Sequence, residues 1–398
     1  MNPQAASMLR ICGGLILGTL AWNWSNSAAL ILALLMPLLV MKSSSRTAAG
    51  LTALAYYLGA AWDLPQGAAV FFGDNLGTGL VNTASGYALW FGASLALSLP
   101  WWALWTHHPQ WRGLRMLIAL GLVALPPIGL VGWAWPLTAT GLVLPGFGWL
   151  GLGLMAFWLV FLASMPASKQ AMSALLAALS FFIFLPVAMT HRPNPAPLWQ
   201  GQDTQLGWDS GSLYWLTMYE HTQVLKTAAS TLKPHHNLLL PETVGGEWHA
   251  VQPLWRNEAA RLGEQHSSVI VGVRQTYAQG YDNCLAAIGA HQGIVYCQRV
   301  PVPISMWQPW NQSTSVHPHW FGQPVFRLGN QTIAPLICYE QLLVWPVLQS
   351  FAQHQPDLIL APGNSWWSKH TRLPQIQINS VHAWGRLFGV PVVTAMNY

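Results

Sequence analysis

Charge is what this chain lacks most. Only 7% of its 398 residues are Asp, Glu, Lys or Arg, whereas soluble domains carry roughly a quarter, so a simple cytosolic enzyme is excluded. Runs of basic residues are missing too. The net charge of +5 comes from singly scattered Lys and Arg, which make no patch for a polyanion, and direct nucleic-acid binding is not expected. Cysteine is scarce: Cys12, Cys284, Cys297 and Cys338 show no C-x-x-C spacing, which indicates neither a zinc ribbon nor a disulfide framework. The pairs His235–His236 and His317-x-His319 have no third ligand of fixed geometry and read as surface or loop histidines. No metal and no cofactor is expected.

What the chain does hold is apolar mass, 53% hydrophobic with 24 Trp, and it is unevenly distributed. Only eight charged residues precede residue 191: Arg10, Lys42, Arg46, Asp63, Asp74, Arg112, Arg115 and Lys169. A bilayer core about 30 Å thick needs roughly 20 apolar residues, and seven stretches approach that: Ile11–Trp24, Ala28–Met41, Thr47–Trp62, Gly86–Trp105, Leu117–Leu137, Gly146–Met165 and Ala171–Met189. The reading is a polytopic α-helical membrane domain of about seven spans over residues 1–192, followed by a water-facing domain over 193–398. The first stretch is a permanent anchor rather than a cleaved leader, because further apolar segments follow it. With the N-terminus inside, Arg10, Lys42, Arg46, Arg112, Arg115 and Lys169 all fall on the cytoplasmic side, while the alternate loops hold Asp63 and Asp74 and no cation. Seven crossings then deliver the polar half to the periplasm of an inner-membrane protein. No ionisable residue sits mid-span, which argues against an ion-coupled transporter. The connector DLPQGAAVFFGDNLGTG between the third and fourth stretches reads as an ordinary loop or as a lipid-interface element beneath the polar domain, the former preferred.

From Pro193 short apolar runs bounded by Pro, Gly and Asn alternate with helical periodicity. Strands are expected at Asn237–Leu240, Ser268–Val273, Asn283–Ile288, Ile294–Gln298, Thr332–Cys338, Leu358–Ala361 and Val390–Ala395, and helices at Tyr214–Thr231, Pro253–Gln265, Gln341–His354 and Pro374–Phe388. This is an α/β layered domain. Such domains present chemistry where strands end, and three strings sit there: LLLPET with Glu242, GIVYCQRVPVP with Gln298 and Arg299, and APLICYEQ with Cys338, Tyr339 and Glu340. A Cys at a strand-to-helix turn exposes its sulfur beside backbone N–H groups, and a carboxylate such as Glu242 can take the thiol proton.

PLICYE, LLLPET, the hairpin YDNCLAAIGAHQGIVYCQRVPVP and the later GNSWW resemble the nitrilase, or carbon–nitrogen hydrolase, superfamily. The membrane half joined to an external catalytic half is similar to apolipoprotein N-acyltransferase. PPIGLVGWAWPLTATGLVLPGFGWLG and the chain size resemble more nearly the TraB-type conjugal transfer family. The resemblance implies an αββα sandwich with a Glu–Lys–Cys triad, in which Cys attacks an ester or amide carbonyl and Glu acts as base and then acid. It assigns Cys338 as nucleophile and Glu242 as base, with Tyr339, Glu340 and Trp366 toward the substrate. It also implies acyl transfer or amide cleavage through a Cys thioester, a membrane lipid or lipidated protein as substrate, and work alongside the conjugation machinery.

Three positions depart from the pattern. The acyltransferase run Y-x-K-x-x-L-V-P, aligned on Val302–Pro303, matches Tyr296 but places Gln298 where the Lys belongs, and Met306 stands where a further Glu is expected. Arg299 is adjacent, yet successive strand residues face opposite sides. Losing a charge-stabilising donor reduces turnover by about 10² to 10³, so an active enzyme of altered chemistry and a non-catalytic scaffold that keeps the fold both stay open. After GNSWW the last strand VPVVTAMNY stops at Tyr398, where the acyltransferase runs on to a further span; no eighth span is expected.

Cys284 and Cys297 fall on the two arms of the hairpin and are expected as free, half-buried thiols, because cross-strand geometry seldom fits a disulfide. Trp307, Trp310, Trp320 and Phe321 occupy a Pro-rich loop, which either packs on itself or admits a lipid acyl chain.

Overall fold

The computed structural model describes residues 3–72, 79–190, 194–207 and 214–398. Asp74, with residues 73–78 of the Gly-rich connector, and the expected domain boundary at 192/193 lie outside the described residues; the connector is not the ordinary loop expected, since Leu64–Phe71 within it is helical, with Pro65 in its first turn. Two compact units form. One comprises Met1–Pro193, Leu342–Trp345 and His370–Gly389, and the other comprises Asn194–Gln341, Pro346–Lys369 and Val390–Tyr398.

The first unit is helical: α1 (Pro3–Asn23), α2 (Met36–Met41), α3 (Arg46–Ala60), α4 (Leu64–Phe71), α5 (Leu80–Leu104), α6 (Pro109–Ala124), α7 (Thr140–Val143), α8 (Gly148–Ser164) and α9 (Gln170–Thr190). Glycine sets its closest packing. A Cβ on Gly18 would lie 2.1 Å from Tyr56 O and one on Gly59 2.5 Å from Leu15 O, so α1 and α3 approach backbone to backbone as small residues permit. The buried rings between them are satisfied: Trp22 Nε1 donates to Tyr56 Oη at 2.8 Å, and Tyr56 Oη donates to Ala134 O at 3.1 Å.

The expectation of about seven spans is overturned. Among the described residues two helices are long and apolar enough to cross a membrane, Gln4–Asn23 and Ala171–Thr190, or three if Pro136–Val143 and Gly148–Ser164, bent by 116°, count as one. Local backbone explains the difference. The second stretch begins as a nine-residue 3₁₀ segment, Ser27–Leu35, before the six-residue α2. The third is a 15-residue helix, and the fifth stops at Ala124 ahead of Pro126 and Pro127. The fourth lies within the 25-residue α5, where Tyr87, Ser94 and Ser98 dilute the apolar residues and Pro100 stands inside the helix. Proline and glycine punctuate apolar runs whose composition alone resembles spans.

The second unit holds two sheets. β1 (Trp199–Gly201), β2 (Asn237–Leu239), β3 (Ser268–Thr276), β4 (Tyr281–Gly289) and β5 (Gly293–Cys297) lie in that order, parallel from β1 to β3 and antiparallel from β3 to β5. The other sheet orders β6 (Phe326–Leu328), β7 (Gln331–Pro335), β8 (Leu358–Asn364) and β9 (Val392–Asn397). Period-2 alternation decides which side chains go where. Val269, Val271 and Val273 of β3 face a core shared with α10 (Tyr214–Ser230), α11 (Trp248–Val251) and α12 (Arg256–Glu264) through Leu225, Trp248 and Leu262. Ile270, Leu285 and Tyr296 face the other sheet and pack with Ile333, Leu358 and Val393. Helix, sheet and sheet thus form three layers of this unit. α13 (Val344–Gln353) lies mostly in the same unit, while α14 (Leu373–Phe388) belongs to the first.

The cysteine expectation is also corrected. Antiparallel register places Cys284 directly opposite Cys297, and the two form a disulfide. Loop length and hairpin register decide which residues face each other across strands, and here they bring the two sulfurs together.

Candidate active site

Glu242 sits in the turn after β2. That turn rests on Gly272 of β3, where a Cβ would be 2.4 Å from Glu242 Cα and 2.5 Å from Pro241 O, so only glycine admits this approach. Gly272 N donates to Pro241 O at 3.1 Å and Thr243 takes the left-handed conformation, φ 57°. Cys338 follows β7 at φ 46°, a strained elbow for a non-glycine residue. Gln341 holds the elbow, its Nε2 donating to Leu336 O at 3.0 Å and to Pro362 O at 2.8 Å.

These turns bring Glu242 and Cys338 into hydrogen-bond contact, with the backbone of Asn364 bonded to both groups and that of Tyr339 to the thiol. Burial pushes the Glu242 carboxyl up to about 7, against the thiol and the Asn283 amide, which favour its charged form. Burial and the neighbouring Glu242 charge drive the Cys338 thiol well above its ordinary range. The resting pair is therefore a neutral thiol beside a carboxyl that titrates near neutrality, the arrangement a general base requires.

Gln298 stands on the same face of β5's end as Tyr296, buried. Its Oε1 accepts from Asn283 Nδ2 at 3.0 Å and its Nε2 donates to Ile337 O at 3.2 Å. The same Asn283 Nδ2 donates to Glu242 Oε1 at 2.5 Å. One amide thus bridges Glu242 and Gln298, while Asn283 Oδ1 is buried without a hydrogen-bond partner. The sequence pattern gives Asn283 only as the start of a strand. Its signal was a polar residue in phase with the inward-facing Leu285 and Ala287, where an amide needs a polar partner.

Arg299 does not stand in for the lysine. Its guanidinium donates to Tyr296 Oη at 2.9 Å, Gln349 Oε1 at 2.8 Å and Ser350 Oγ at 3.1 Å. It also lies 3.8 Å from Glu340 Oε1. Glu340, expected toward substrate, is instead wholly buried and saturated. It accepts from Arg299 N at 2.8 Å, Val300 N at 3.2 Å, Ile337 N at 2.9 Å and the Tyr296 hydroxyl at 3.0 Å. Its carboxylate ties the end of β5 to the elbow. Tyr339 is half-buried and meets the thiol through its backbone. Trp366 is half-buried two residues beyond Asn364, whose Nδ2 donates to Thr243 Oγ1 at 2.8 Å.

Of the suggestive loop aromatics, Trp307 and Trp320 pack edge to face at 5.2 Å, while Trp310 and Phe321 are 68% and 84% exposed. His317 and His319 reach the same oxygen of Asp282 at 3.0 and 3.2 Å. Among the described residues Asp282, Cys284 and Cys297 have metal-like proximity, but both sulfurs are bonded to each other.

The family model for carbon–nitrogen hydrolases matches residues 93–386, and the chain belongs to that family. It is 36% identical over 390 residues to a probable conjugal transfer protein TraB of Sinorhizobium fredii, covering 96% of each chain. It is 37% identical over 396 residues to the conjugal transfer protein TraB of Agrobacterium fabrum, covering 95% of this chain and 90% of that one. Among solved structures, a carbon–nitrogen hydrolase of Helicobacter pylori overlaps 49% of this chain and 71% of its own at 12% identity and a TM-score of 0.34.

Proposed function

We propose that this chain is a membrane-anchored protein of conjugal plasmid transfer whose second unit performs acyl transfer or amide cleavage through Cys338. The observation that carries the reading is the contact between a buried carboxyl titrating near 7 and a thiol at a left-handed elbow. Glu242 takes the thiol proton as Sγ attacks a carbonyl carbon; the tetrahedral adduct collapses to a thioester and releases an alcohol or amine that carries the proton away from Glu242. Gln298 is a neutral neighbour in place of the family's cation, so proton removal is concerted with attack. The acyl source is a membrane lipid or a lipidated protein, a role for which the exposed Trp310 and Phe321 are suited.

Anchoring rests on Gln4–Asn23 and Ala171–Thr190. A periplasmic position for the second unit is supported by the Cys284–Cys297 disulfide, since disulfides persist in oxidising compartments. The scaffold reading is favoured by one observation, that both ends of the Gln298 amide are engaged by protein. A transfer assay separates the two. Cys338→Ala abolishes plasmid transfer at unchanged membrane abundance if the site is catalytic; full transfer by that variant would leave the scaffold.

A further inference from the structure

The first unit contains a groove of about 770 Å³ between α1, the Ser27–Met41 segment and α9, within the roughly 300–1,000 Å³ typical of small-molecule sites. Its walls are almost wholly apolar, among them Leu35, Ala174, Ala178 and Phe182, and its polar lining residues are Arg10, Lys42 and Ser173. Lys42 Nζ donates to Ser173 Oγ. Arg112 lies within electrostatic reach of Lys42 and Arg10. It is 9% exposed, and its Nη1 has no hydrogen-bond partner.

Three cations in one neighbourhood repel one another, and Arg112 is answered by two carbonyls, Thr106 O and His107 O at 3.5 and 3.2 Å, rather than by a negative charge. The unit's sequence holds two acids, Asp63 and Asp74; Asp63 accepts from Arg372 N at 2.8 Å, and among the described residues no carboxylate pairs with Arg10, Lys42 or Arg112. Arg10 and Lys42 are half-buried at the groove and Arg112 is buried beside them, and cations left without a counter-charge next to an apolar groove favour an anion there. The two helices that line the groove on either side, α1 and α9, are both long and apolar enough to cross a bilayer, which points to an occupant from the lipid phase.

We propose that this groove holds one anionic membrane phospholipid, an acyl chain lying along Leu35, Ala174 and Phe182 and the phosphate at Arg10 and Lys42. The assignment rests on the membrane anchoring proposed above. It defines a lipid site separate from the Cys338 chemistry, one that fastens α1 to α9 through a ligand.

The test uses the full chain in phosphatidylcholine vesicles containing phosphatidylglycerol with a photoactivatable diazirine on one acyl chain, or diacylglycerol carrying the same chain. Crosslinks are mapped along α9. The phosphatidylglycerol probe marks the groove residues Ala174 and Ala178 above the outward-facing Leu175 and Leu179, and diacylglycerol does not. Arg10→Gln with Lys42→Gln lowers groove labelling by roughly tenfold and leaves labelling of Leu175 and Leu179 unchanged. Ala174→Trp, which fills the groove with both charges intact, does the same. Equal groove labelling by both probes, or unchanged labelling in the double variant, overturns the proposal. Labelling of Leu175 and Leu179 without the groove overturns the lipid site alone, whereas no labelling of either surface overturns the anchoring as well.

Discussion

Glu242 and Glu340 are both buried carboxyls beside the same elbow, and they do opposite things. Burial raises the titration of each. Glu340 is answered by a guanidinium, three backbone N–H groups and a tyrosine hydroxyl; Glu242 is answered by one amide, a backbone N–H and the thiol it would deprotonate. The first arrangement locks two segments together. The second leaves a carboxyl poised to exchange a proton. The partners, not burial, separate a structural acid from a reactive one.

The sharpest way to break that comparison is to neutralise Glu340. Glu340→Gln leaves Arg299 buried without its counter-charge and presents an NH₂ group to backbone donors, and such a loss costs about 3–5 kcal/mol. Urea unfolding of the purified chain reads it, with Cys338 reactivity lost only through unfolding. Native stability in that variant would remove the structural role assigned to Glu340.

Glu242→Gln gives the converse result. Losing a general base slows alkylation of Cys338 by about 10² to 10⁴ while the fold survives. In the native chain the labelling rate rises through pH about 7, because Glu242 accepts a proton only once ionised; a rise confined to much higher pH would mean a thiol acting without its carboxylate. The stability sign follows from the same shift. A carboxyl whose folded value is raised from 4.5 to about 7 contributes stability below about pH 4.5, and that contribution is lost as pH climbs through 7. Glu242→Gln therefore flattens the pH dependence of unfolding across this window.

A smaller effect is expected from Gln298→Lys. An ammonium there finds Glu242 and the unpartnered Asn283 Oδ1, favouring both carboxylate and thiolate, and Cys338 labelling at neutral pH rises by about tenfold. No change would mean that the Asn283 bridge already supplies what a cation would.

Local patterns carried a great deal. The α/β order of the second half and Glu242 and Cys338 at strand ends were legible, because period-2 alternation, Pro and Gly punctuation and short motifs are properties of neighbouring residues; the neutral Gln298 at the lysine position was legible only through the family resemblance. The three-residue strands β1 and β6 were not: β2, equally short, stands out by the apolar run Leu238–Leu240 ahead of Pro241, which WQG and FRL lack. Composition also could not distinguish a continuous span from an apolar run broken into 3₁₀ and short α segments, as at Ser27–Met41. The Cys284–Cys297 bond depended on hairpin register. Asn283 joined Glu242 to Gln298, and Arg299 turned to Glu340, only when β4, β5 and the elbow met; side-chain partners across strands are set by packing of segments remote in sequence, and no local signal encodes which of two buried carboxyls will find the cation.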